Sequence, residues 1–407
     1  MAKNYRTDPV FTGRIGSDTT NYPYGDSQDD TGSNDGMPHV KSRADDILGF
    51  LQAILVQANI TPNGNSDTAL NSQYLEGLIA MMAGGKKNLI TNPDMFISQR
   101  ATSWQLLYVG STLERWTLDR WHLIFSGSTG AVLDLTQEEF TITGPTIPAP
   151  SSHFARFAMT VANPAVQFRQ FIALPANFLN KTFTLSFYAN SSVDMNVQGV
   201  LNYRADDGST GTADSDLVTV TTASGWTRYS MTLSPLVPTT AETYGDNDSA
   251  ALILSLLFFT QGTLDITAIQ LEVNTVETAF EKVDRQQEFL ECLRYYQRFE
   301  LGDVFPGYWV ANNEAFITVP FKVPMQDIPS FSNGGPSVDF KLGTSTPSFT
   351  GGASGTQTLN VFSDPVSVNQ ALITINVSPS TSGTAGEGTL LKLHGTTYMA
   401  FEAEVDT

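Results

Sequence analysis

Cysteine is almost absent from this 407-residue chain, in which Cys292 is the only one. A single thiol cannot form a disulfide bond within the chain, so packing or assembly must stabilise the fold. A free thiol is compatible with folding in a reducing cytoplasm. Cys292 falls among apolar residues, and we expect it to be a small buried side chain rather than a reactive group.

Basic side chains are scarce beside acidic ones, with 22 Lys and Arg against 41 Asp and Glu and a net charge of −19. A surface with this excess of negative charge repels phosphate backbones. We therefore expect no nucleic-acid partner.

Long apolar runs are also missing. The most apolar stretch, "AALILSLLFF" at 250–259, is too short to cross a membrane, and the first residues, "MAKNYRTDPV", contain no apolar signal core. Charged residues make up only 15% of the chain, while Gly, Pro, Ser and Thr are plentiful. This composition favours β-sheet domains with many turns, and we expect no membrane insertion.

The sequence lacks the motifs of the common metal, phosphate and nucleophile sites. No HExxH, CxxC, EF-hand, GxSxG or P-loop pattern occurs. The histidines are scattered without ligand spacing, at His39, His122, His153 and His394. We expect no metal site and no cofactor.

Adjacent acids offer candidates for the paired carboxylates of a glycosidase, in "QEEF" at 137–140 and "FEAEVD" at 401–406. Such acids are also common on the solvated faces of strands. We predict that the chain is not an enzyme, and a polysaccharide hydrolase is the alternative.

The first 87 residues divide into two parts. Residues 1–41 are polar and carry no hydrophobic period, so they form either a disordered tail or an extended arm that becomes ordered against a partner. Residues 42–87 contain two helical patterns, the first with capping-box spacing at Ser42 and Asp45. Each helix has one apolar face, which indicates association, with packing on the next domain as the alternative.

From 88 to 283 the hydrophobic period changes to two, as in Phe183, Leu185 and Phe187. Many short alternating strands predict a β-sandwich of jelly-roll type. The alternation returns over 305–407, which predicts a smaller C-terminal β domain. The predicted fold class is therefore mainly β: an N-terminal arm and two short helices, then a jelly-roll sandwich, a linking helix and the smaller domain.

The predicted linking helix occupies 284–304. Asp284 can cap it, with Gln287 at the reciprocal position, and Gly302 is placed to end it. Its apolar stripe runs from Phe289 to Phe299, while Glu288 belongs to the charged side that we expect to face solvent.

Two groups of aromatic residues are of interest. In "RWTLDRW", the spacing of Trp116 and Trp121 predicts opposite faces of one strand, with at most one ring inward. In "GYWVANNE", aromatic, amide and carboxylate side chains are clustered, which suits the apolar face and hydroxyl groups of a sugar. The candidate ligand-binding residues are Tyr308, Trp309, Asn312, Asn313 and Glu314. The alternative is that Trp309 begins a strand and packs inward.

Several stretches resemble the fibre proteins of tailed bacteriophages. Residues 42–78 resemble the N-proximal segment of phage and prophage tail proteins. The stretches "NLITNPDMFISQR" (88–100) and 108–121 resemble the opening of a carbohydrate-binding-like jelly roll, and 266–299, the most specific match, resembles its end. "VPFKVPMQDIPSF" and "YMAFEAEV" resemble a small terminal β domain. No extended repeat shaft is present, which favours a short tail appendage and leaves a head or neck fibre open.

The resemblance implies a homotrimeric virion fibre, made in the cytoplasm of the host bacterium. Residues 1–41 would anchor it to a portal, adaptor or tail subunit, and the β domains would bind a host surface glycan. A capsule-degrading hydrolase of the tailspike kind remains the alternative. In such a trimer, the helix at 284–304 packs either on its own sandwich or around the threefold axis.

Overall fold

The computed structural model describes a defined part of the chain. The described residues are 41–57, 62, 72–75, 87–141, 150–160, 164–173, 178, 181–204, 210–234, 251–300, 302–311, 314–334, 340–343, 358–361, 367–376, 388–393 and 398–403. The chain divides into two compact units, Met1–Lys86 and Lys87–Thr407. The predicted arm at 1–41 falls almost wholly outside the described residues and stays a prediction.

The first unit contains the predicted helix α1, Lys41–Gln57. It begins one residue before Ser42, so the predicted cap lies inside the first turn. Ile54 and Leu55 are buried, whereas Ile47 is 55% exposed and Leu48 49% exposed. Of the second predicted helix, 73–75 are described and are helical.

The second unit is built mainly from antiparallel strands. Their bounds are β1 Ser103–Leu107, β2 Leu113–Trp116, β3 His122–Ser126, β4 Val132–Glu139, β5 His153–Met159, β6 Ala165–Ala173, β7 Phe183–Ser191, β8 Met195–Arg204, β9 Thr210–Val220, β10 Thr227–Leu233, β11 Ala251–Phe258, β12 Gly262–Val273, β13 Tyr296–Phe299, β14 Val304–Ala311, β15 Glu314–Pro320, β16 Ser330–Gly334, β17 Phe340–Gly343, β18 Thr358–Val361, β19 Gln370–Asn376, β20 Gly388–Leu393 and β21 Tyr398–Glu402. A short 3-10 helix, Thr222–Ser224, precedes β10. The mainly β fold class is confirmed.

The first twelve strands form the predicted sandwich. Their hydrogen-bonded order is β1-β4-β5-β12-β7-β10-β9-β8-β11-β6-β3-β2. Strand β9 joins the two layers, since it pairs along most of its length with β8 and through Ser215 with Leu233 of β10. We name the layer β1-β4-β5-β12-β7-β10 sheet I and the layer β8-β11-β6-β3-β2 sheet II.

Aromatic rings join the two sheets in the core. Phe157 of sheet I lies 5.0 Å from Phe168 and 5.1 Å from Phe258, both of sheet II, between ring centroids. The predicted alternation is confirmed where it is described. The buried sets are Phe157 and Met159 in β5, Phe183, Leu185 and Phe187 in β7, and Leu252, Leu254, Leu256 and Phe258 in β11.

The tryptophans of "RWTLDRW" do not share a strand, contrary to the prediction. Trp116 ends β2, a turn follows, and Trp121 precedes β3, so the segment is a hairpin. Trp121 is fully buried and stacks on Phe168 at 4.3 Å, while Trp116 is partly exposed. The hydrogen bond from Trp121 N to Leu118 O closes the turn.

The predicted linking helix is present but shorter than predicted. Helix α2 spans Arg285–Leu293, and the Asp284 side chain caps it by accepting from Gln286 N and Gln287 N. Cys292 is buried, as expected. The helix does not reach Gly302, because Tyr296–Phe299 instead pairs as strand β13 with Tyr398–Glu402. A pairing distant in sequence thus overrides the helical pattern at these residues.

Helix α2 packs on its own sandwich, which is one of the two arrangements left open above. The predicted solvent side is wrong at Glu288, which is buried and accepts a hydrogen bond from Asn92 N at 2.5 Å. Arg285 donates to Ser152 Oγ at 2.7 Å and lies over the Phe96 ring. A buried carboxylate with a backbone donor explains how an acidic residue enters this interface.

The remaining strands form a smaller β region with its own hydrophobic core. One sheet has the order β13-β21-β16 and the other β17-β20-β14-β15-β19-β18. This second core includes Phe299, Phe305, Trp309, Ile317 and Phe401. Because Phe299 belongs to it, the second core begins inside the segment predicted as a linker.

Candidate functional site

The outward side of sheet I carries a continuous set of polar and aromatic side chains. Ala155, Phe157 and Met159 of β5 face the core, so Phe154 and Arg156 face outward. The same alternation runs through the other strands of the sheet. The outward set that we name the polar face comprises Gln105, Asp134, Thr136, Glu138, Phe140, Phe154, Arg156, Tyr188, Asn190, Trp226, Arg228 and Asp265.

Three rings form an aromatic cluster on the polar face. The Trp226 centroid lies 4.9 Å from that of Phe140 and 5.2 Å from that of Phe154, and the two phenyl rings are 4.8 Å apart. Phe154 is 7% exposed at the base of the cluster, while Phe140 and Trp226 are partly exposed. The cluster therefore leaves two of its three rings partly accessible to a ligand.

The position of Trp226 shows that the cluster spans the sheet. Trp226 precedes β10, which lies three strands from β5 in the sheet order. Three strand spacings in a flat sheet amount to about 14 Å. Because the Trp226 and Phe154 centroids are only 5.2 Å apart, the two side chains together must reach across the outer face of the intervening strands.

An arginine–carboxylate pair lies next to the aromatic cluster. Arg156 of β5 and Asp265 of β12 are direct partners across the two strands. Arg156 Nε donates to Asp265 Oδ1 at 2.8 Å, and Nη2 donates to Oδ2 at 2.9 Å. The Asp265 side chain is 5% exposed and that of Arg156 is 41% exposed. These hydrogen bonds raise the pKa of the Arg156 guanidinium, and partial burial opposes the rise.

Shorter polar side chains surround this pair. Gln105 Nε2 donates to Asp134 Oδ1 at 2.9 Å, and Thr136 Oγ1 donates to Glu138 Oε1 at 2.8 Å. Asn190 is the partner of Asp265 on β7. The polar face therefore combines aromatic rings with amide, guanidinium and carboxylate groups. Such a surface is suited to a hydroxylated ligand, since aromatic rings contact apolar C–H groups and the polar side chains bind hydroxyls.

The predicted cluster in "GYWVANNE" lies on another sheet, and the structure separates its members. Trp309 is 5% exposed in the second core, so its ring cannot act as a surface platform and the inward-packing alternative is the observed one. Tyr308 faces the opposite way and is 48% exposed, and Glu314 is partly exposed on the same side. Asn312 and Asn313 lie outside the described residues. Binding by Tyr308 and Glu314 stays a prediction.

Tyr308 belongs to a surface that is mainly apolar. The outward side of the β17-β20-β14-β15-β19-β18 sheet, which we name the apolar face, includes Val304, Pro306, Tyr308, Glu314, Phe316, Thr318, Leu372 and Leu390. Tyr308 and Phe316 are cross-strand partners with centroids 5.8 Å apart. Among the described side chains of this face, only Glu314 is charged.

Sheet II carries a different group on its outward side. Arg169 Nε donates to His122 Nδ1 at 3.0 Å, and His122 packs edge-on against Trp116 at 4.8 Å. Burial lowers the pKa of His122 to about 4, with further lowering by the charges of Arg169 and Arg100. Glu114 Oε2 lies 4.0 Å from His122 Nε2. His122 is thus a neutral, buried acceptor for an arginine.

The acids considered as a glycosidase pair lie in different surroundings in the structure. Glu138 lies on the polar face, whereas Glu139 is exposed and its Oε1 lies 3.2 Å from His153 Nε2. Glu402 forms an ion pair with Arg100 at 3.2 Å, and 404–406 lie outside the described residues. In the described part of the chain, no group of three His, Cys, Asp or Glu side chains is placed to hold a metal ion. No helix among the described residues is long and apolar enough to span a membrane.

Sequence reasoning missed the polar face, although a signal for it was present. Arg156 interrupts the apolar "FARFAM" and Asp265 interrupts "TLDITAI", so each strand carries one charged residue among apolar ones. An arginine and an aspartate in two such strands are candidates for a cross-strand pair. What the pattern cannot give is that β5 and β12, more than a hundred positions apart, are neighbours. The placement of Trp226 depends on the same long-range pairing.

Comparison with known proteins gives matches to solved structures alone. No family model and no curated protein matches the chain. The enzymatically active domain of tailspike protein 4 of bacteriophage CBA120 is 14% identical, with a TM-score of 0.28, and the match covers 46% of this chain and 21% of that one. A family 11 carbohydrate-binding module of a Clostridium thermocellum cellulosomal cellulase is 11% identical, with a TM-score of 0.25, over 44% of this chain and 99% of the module.

A third match is the xylan-binding module of a Paenibacillus barcinonensis protein, 13% identical with a TM-score of 0.24, over 37% of this chain and 87% of that one. The chain thus spans about a fifth of the tailspike chain, and most of each binding module. At these identities and TM-scores, the likeness supports no statement about function.

Proposed function

We propose that this chain is a structural fibre of a tailed-bacteriophage virion that attaches the particle to a glycan on the host bacterial surface. The support from sequence is the resemblance of 42–78, 88–100, 108–121 and 266–299 to phage tail proteins. The proposed binding function rests on the polar face, where the Phe140–Phe154–Trp226 cluster lies beside the Arg156–Asp265 pair. Aromatic rings next to oriented donors and acceptors are what a saccharide requires.

The proposal includes assembly and anchoring. The chain forms a homotrimer, and residues 1–41 bind a portal, adaptor or tail subunit, so that the β domains project from a tail or tail-adjacent position. Light scattering on the full-length protein is expected to give about three chains per particle. Removing residues 1–41 is expected to yield virions without this protein while the β domains still fold. Normal incorporation of the truncated chain would contradict the anchoring role.

The central experiment measures retention of the purified full-length protein on immobilised host surface polysaccharide. We expect saturable retention by the wild type and about tenfold weaker retention by Trp226→Ala, a loss of about 1.4 kcal/mol. Trp226 is partly exposed, so circular dichroism of the variant should match that of the wild type. Equal retention of both proteins would remove the polar face from the proposal.

The same mixtures test for a hydrolase. The chain length of the polysaccharide is measured before and after incubation. We expect it to remain unchanged, because the fibre proposed here binds without cleaving. A fall in chain length would instead establish the tailspike-like enzyme.

A further inference from the structure

The Arg156–Asp265 pair also indicates which glycans the polar face would accept, and this step rests on the proposed glycan-binding function. Asp265 contacts one side of the guanidinium, through Nε and Nη2. A guanidinium has five N–H groups, so the edge formed by Nη1 and the second N–H of Nη2 is left over. No residue that the structure describes accepts a hydrogen bond from that edge.

The free edge is accessible and held in place. The Arg156 side chain is 41% exposed, while the carboxylate that orients it is 5% exposed. A buried, bidentate partner restricts the guanidinium to one plane, so little conformational entropy remains to be lost on binding a ligand. The edge therefore offers a fixed pair of donors beside the aromatic cluster, since Arg156 also lies 5.3 Å from the Phe154 ring centroid.

The charges around this edge decide between neutral and acidic ligands. Asp265 balances the charge of Arg156, and Glu138 lies close enough to raise the pKa of Arg156 further. Asp134 adds another carboxylate to the same face. Three carboxylates, Asp134, Glu138 and Asp265, stand against two arginines on the polar face, Arg156 and Arg228. Arg228 has its own acidic partner, since its Nε lies 3.5 Å from Glu277 Oε2. The described side chains of the face therefore carry a net negative charge, within a chain of net charge −19. A carboxylate or sulfate on a ligand would be repelled by this negative charge, because the arginines of the face are already paired with carboxylates.

We propose that the polar face selects neutral glycans, with the free edge of Arg156 donating to sugar hydroxyl oxygens and Glu138 accepting from sugar hydroxyl groups. A hydroxyl both donates and accepts, so it satisfies an arginine and a carboxylate at once. The anionic group of an acidic sugar, in contrast, only accepts hydrogen bonds, and its charge is repelled by the carboxylates of the face.

The test is a glycan array that pairs each neutral oligosaccharide with a sialylated, uronate-bearing or sulfated counterpart. We expect the full-length wild type to bind neutral members and to bind their acidic counterparts at least tenfold more weakly. Arg156→Lys keeps the charge and loses the planar edge, so it should weaken neutral binding about tenfold. Acidic counterparts bound as well as neutral ones, or better, would overturn the inference while leaving the glycan-binding function intact.

Two further variants test the electrostatic step. Asp265→Asn removes the balancing charge, and binding of acidic members should then rise at least fivefold. Because Asp265 is buried and this variant can misfold, Glu138→Gln, at a partly exposed position, provides a second measurement with the same expected direction. Unchanged selectivity in a folded Glu138→Gln variant contradicts the inference. Failure of the wild type to bind any array member and the host polysaccharide overturns both the inference and the proposed function.

Discussion

The polar face of the sandwich and the apolar face of the C-terminal sheet have the same backbone pattern, with every second side chain pointing outward, yet they carry different chemistry. On the polar face, charged groups are paired and oriented, and the aromatic rings pack against one another. On the apolar face, Val304, Tyr308 and Leu390 are 38–48% exposed, and the described side chains contain one charged group. A ligand made of hydroxyl groups finds hydrogen-bonding partners on the first face and few on the second.

The difference also separates two roles that an exposed aromatic residue can have. Trp226 contacts two other rings, one of which, Phe154, lies 5.3 Å from the Arg156 guanidinium. Tyr308 instead contacts Phe316 on a mainly aliphatic surface. Extended apolar surface of the second kind is typical of contacts between proteins. We expect the two faces to differ in their contribution to stability and in ligand binding, and the outward side of sheet II to determine the response to pH.

The largest expected effect is on stability, from Asp265→Ala. The substitution removes two charge-assisted hydrogen bonds and leaves Arg156 without its buried partner. We expect the free energy of unfolding to fall by about 3 kcal/mol, less than for a fully buried pair because Arg156 is partly solvated. Chemical denaturation followed by tryptophan fluorescence measures it.

Asp134→Ala is the matched control for that variant. Asp134 is also a carboxylate of the polar face, but its hydrogen-bonding partner is the exposed Gln105. We expect its loss to cost less than about 0.5 kcal/mol. Equal effects at the two positions would mean that Asp265 is not the structural anchor of the face.

The second prediction concerns pH and the outward side of sheet II. The folded pKa of His122 is lowered to about 4 from the ordinary 6.5, so above pH 6.5 the residue is neutral in both the folded and the unfolded chain. Below pH 6.5, His122 binds a proton in the unfolded chain but stays neutral in the folded chain. Stability is therefore lost as the pH falls towards 4. We expect this group to cost about 2 kcal/mol at pH 5 relative to pH 7.

His122→Gln tests the assignment, because the glutamine carbonyl can accept from Arg169 without titrating. The variant should lose less stability than the wild type between pH 7 and pH 5. Glycan binding should stay constant over this range as long as the protein is folded, since the described polar face contains no histidine. An identical stability profile for variant and wild type would contradict the role of His122.

The fold was predictable from the sequence to the extent that it depends on local pattern. Alternation identified the buried rows of β5, β7 and β11, and Asp284 identified the start of α2. The end of α2 was not predictable, because Tyr296–Phe299 also suits a helix and only its pairing with Tyr398–Glu402 decides for a strand. The burial of Glu288 likewise depends on a donor, Asn92 N, supplied from another part of the chain.

The candidate site depended still more on long-range structure. Arg156 and Asp265 are conspicuous as charges in apolar strands, but their partnership requires β5 and β12 to be adjacent. The cluster at 308–314 was suggested by residues close in sequence, and alternation along β14 then places Trp309 in the core and Tyr308 outside. Neighbours along a strand point to opposite faces, so proximity in sequence is a poor guide to a shared surface.

The third prediction compares tyrosines on the two faces through ligand binding. Tyr188 lies on the polar face in β7, paired across the sheet with Thr267 and Arg228. Tyr188→Ala should weaken binding to host polysaccharide about fivefold, a loss of about 1 kcal/mol from one ring contact. Isothermal titration calorimetry with the full-length protein measures it, and an unchanged affinity would place the ligand away from β7.

The smallest effect is expected from Tyr308→Ala, the counterpart on the apolar face. Its ring is 48% exposed and contacts Phe316 edge-on, so truncation removes limited packing and should lower the free energy of unfolding by less than about 1 kcal/mol. The affinity for host polysaccharide should change less than twofold, because the face around it supplies few described hydrogen-bonding groups. A tenfold loss of affinity in this variant would transfer the glycan site to Tyr308 and Glu314, as the local sequence first suggested. Loss of the proposed trimer instead, with affinity retained per chain, would identify the apolar face as the surface through which copies of the chain associate.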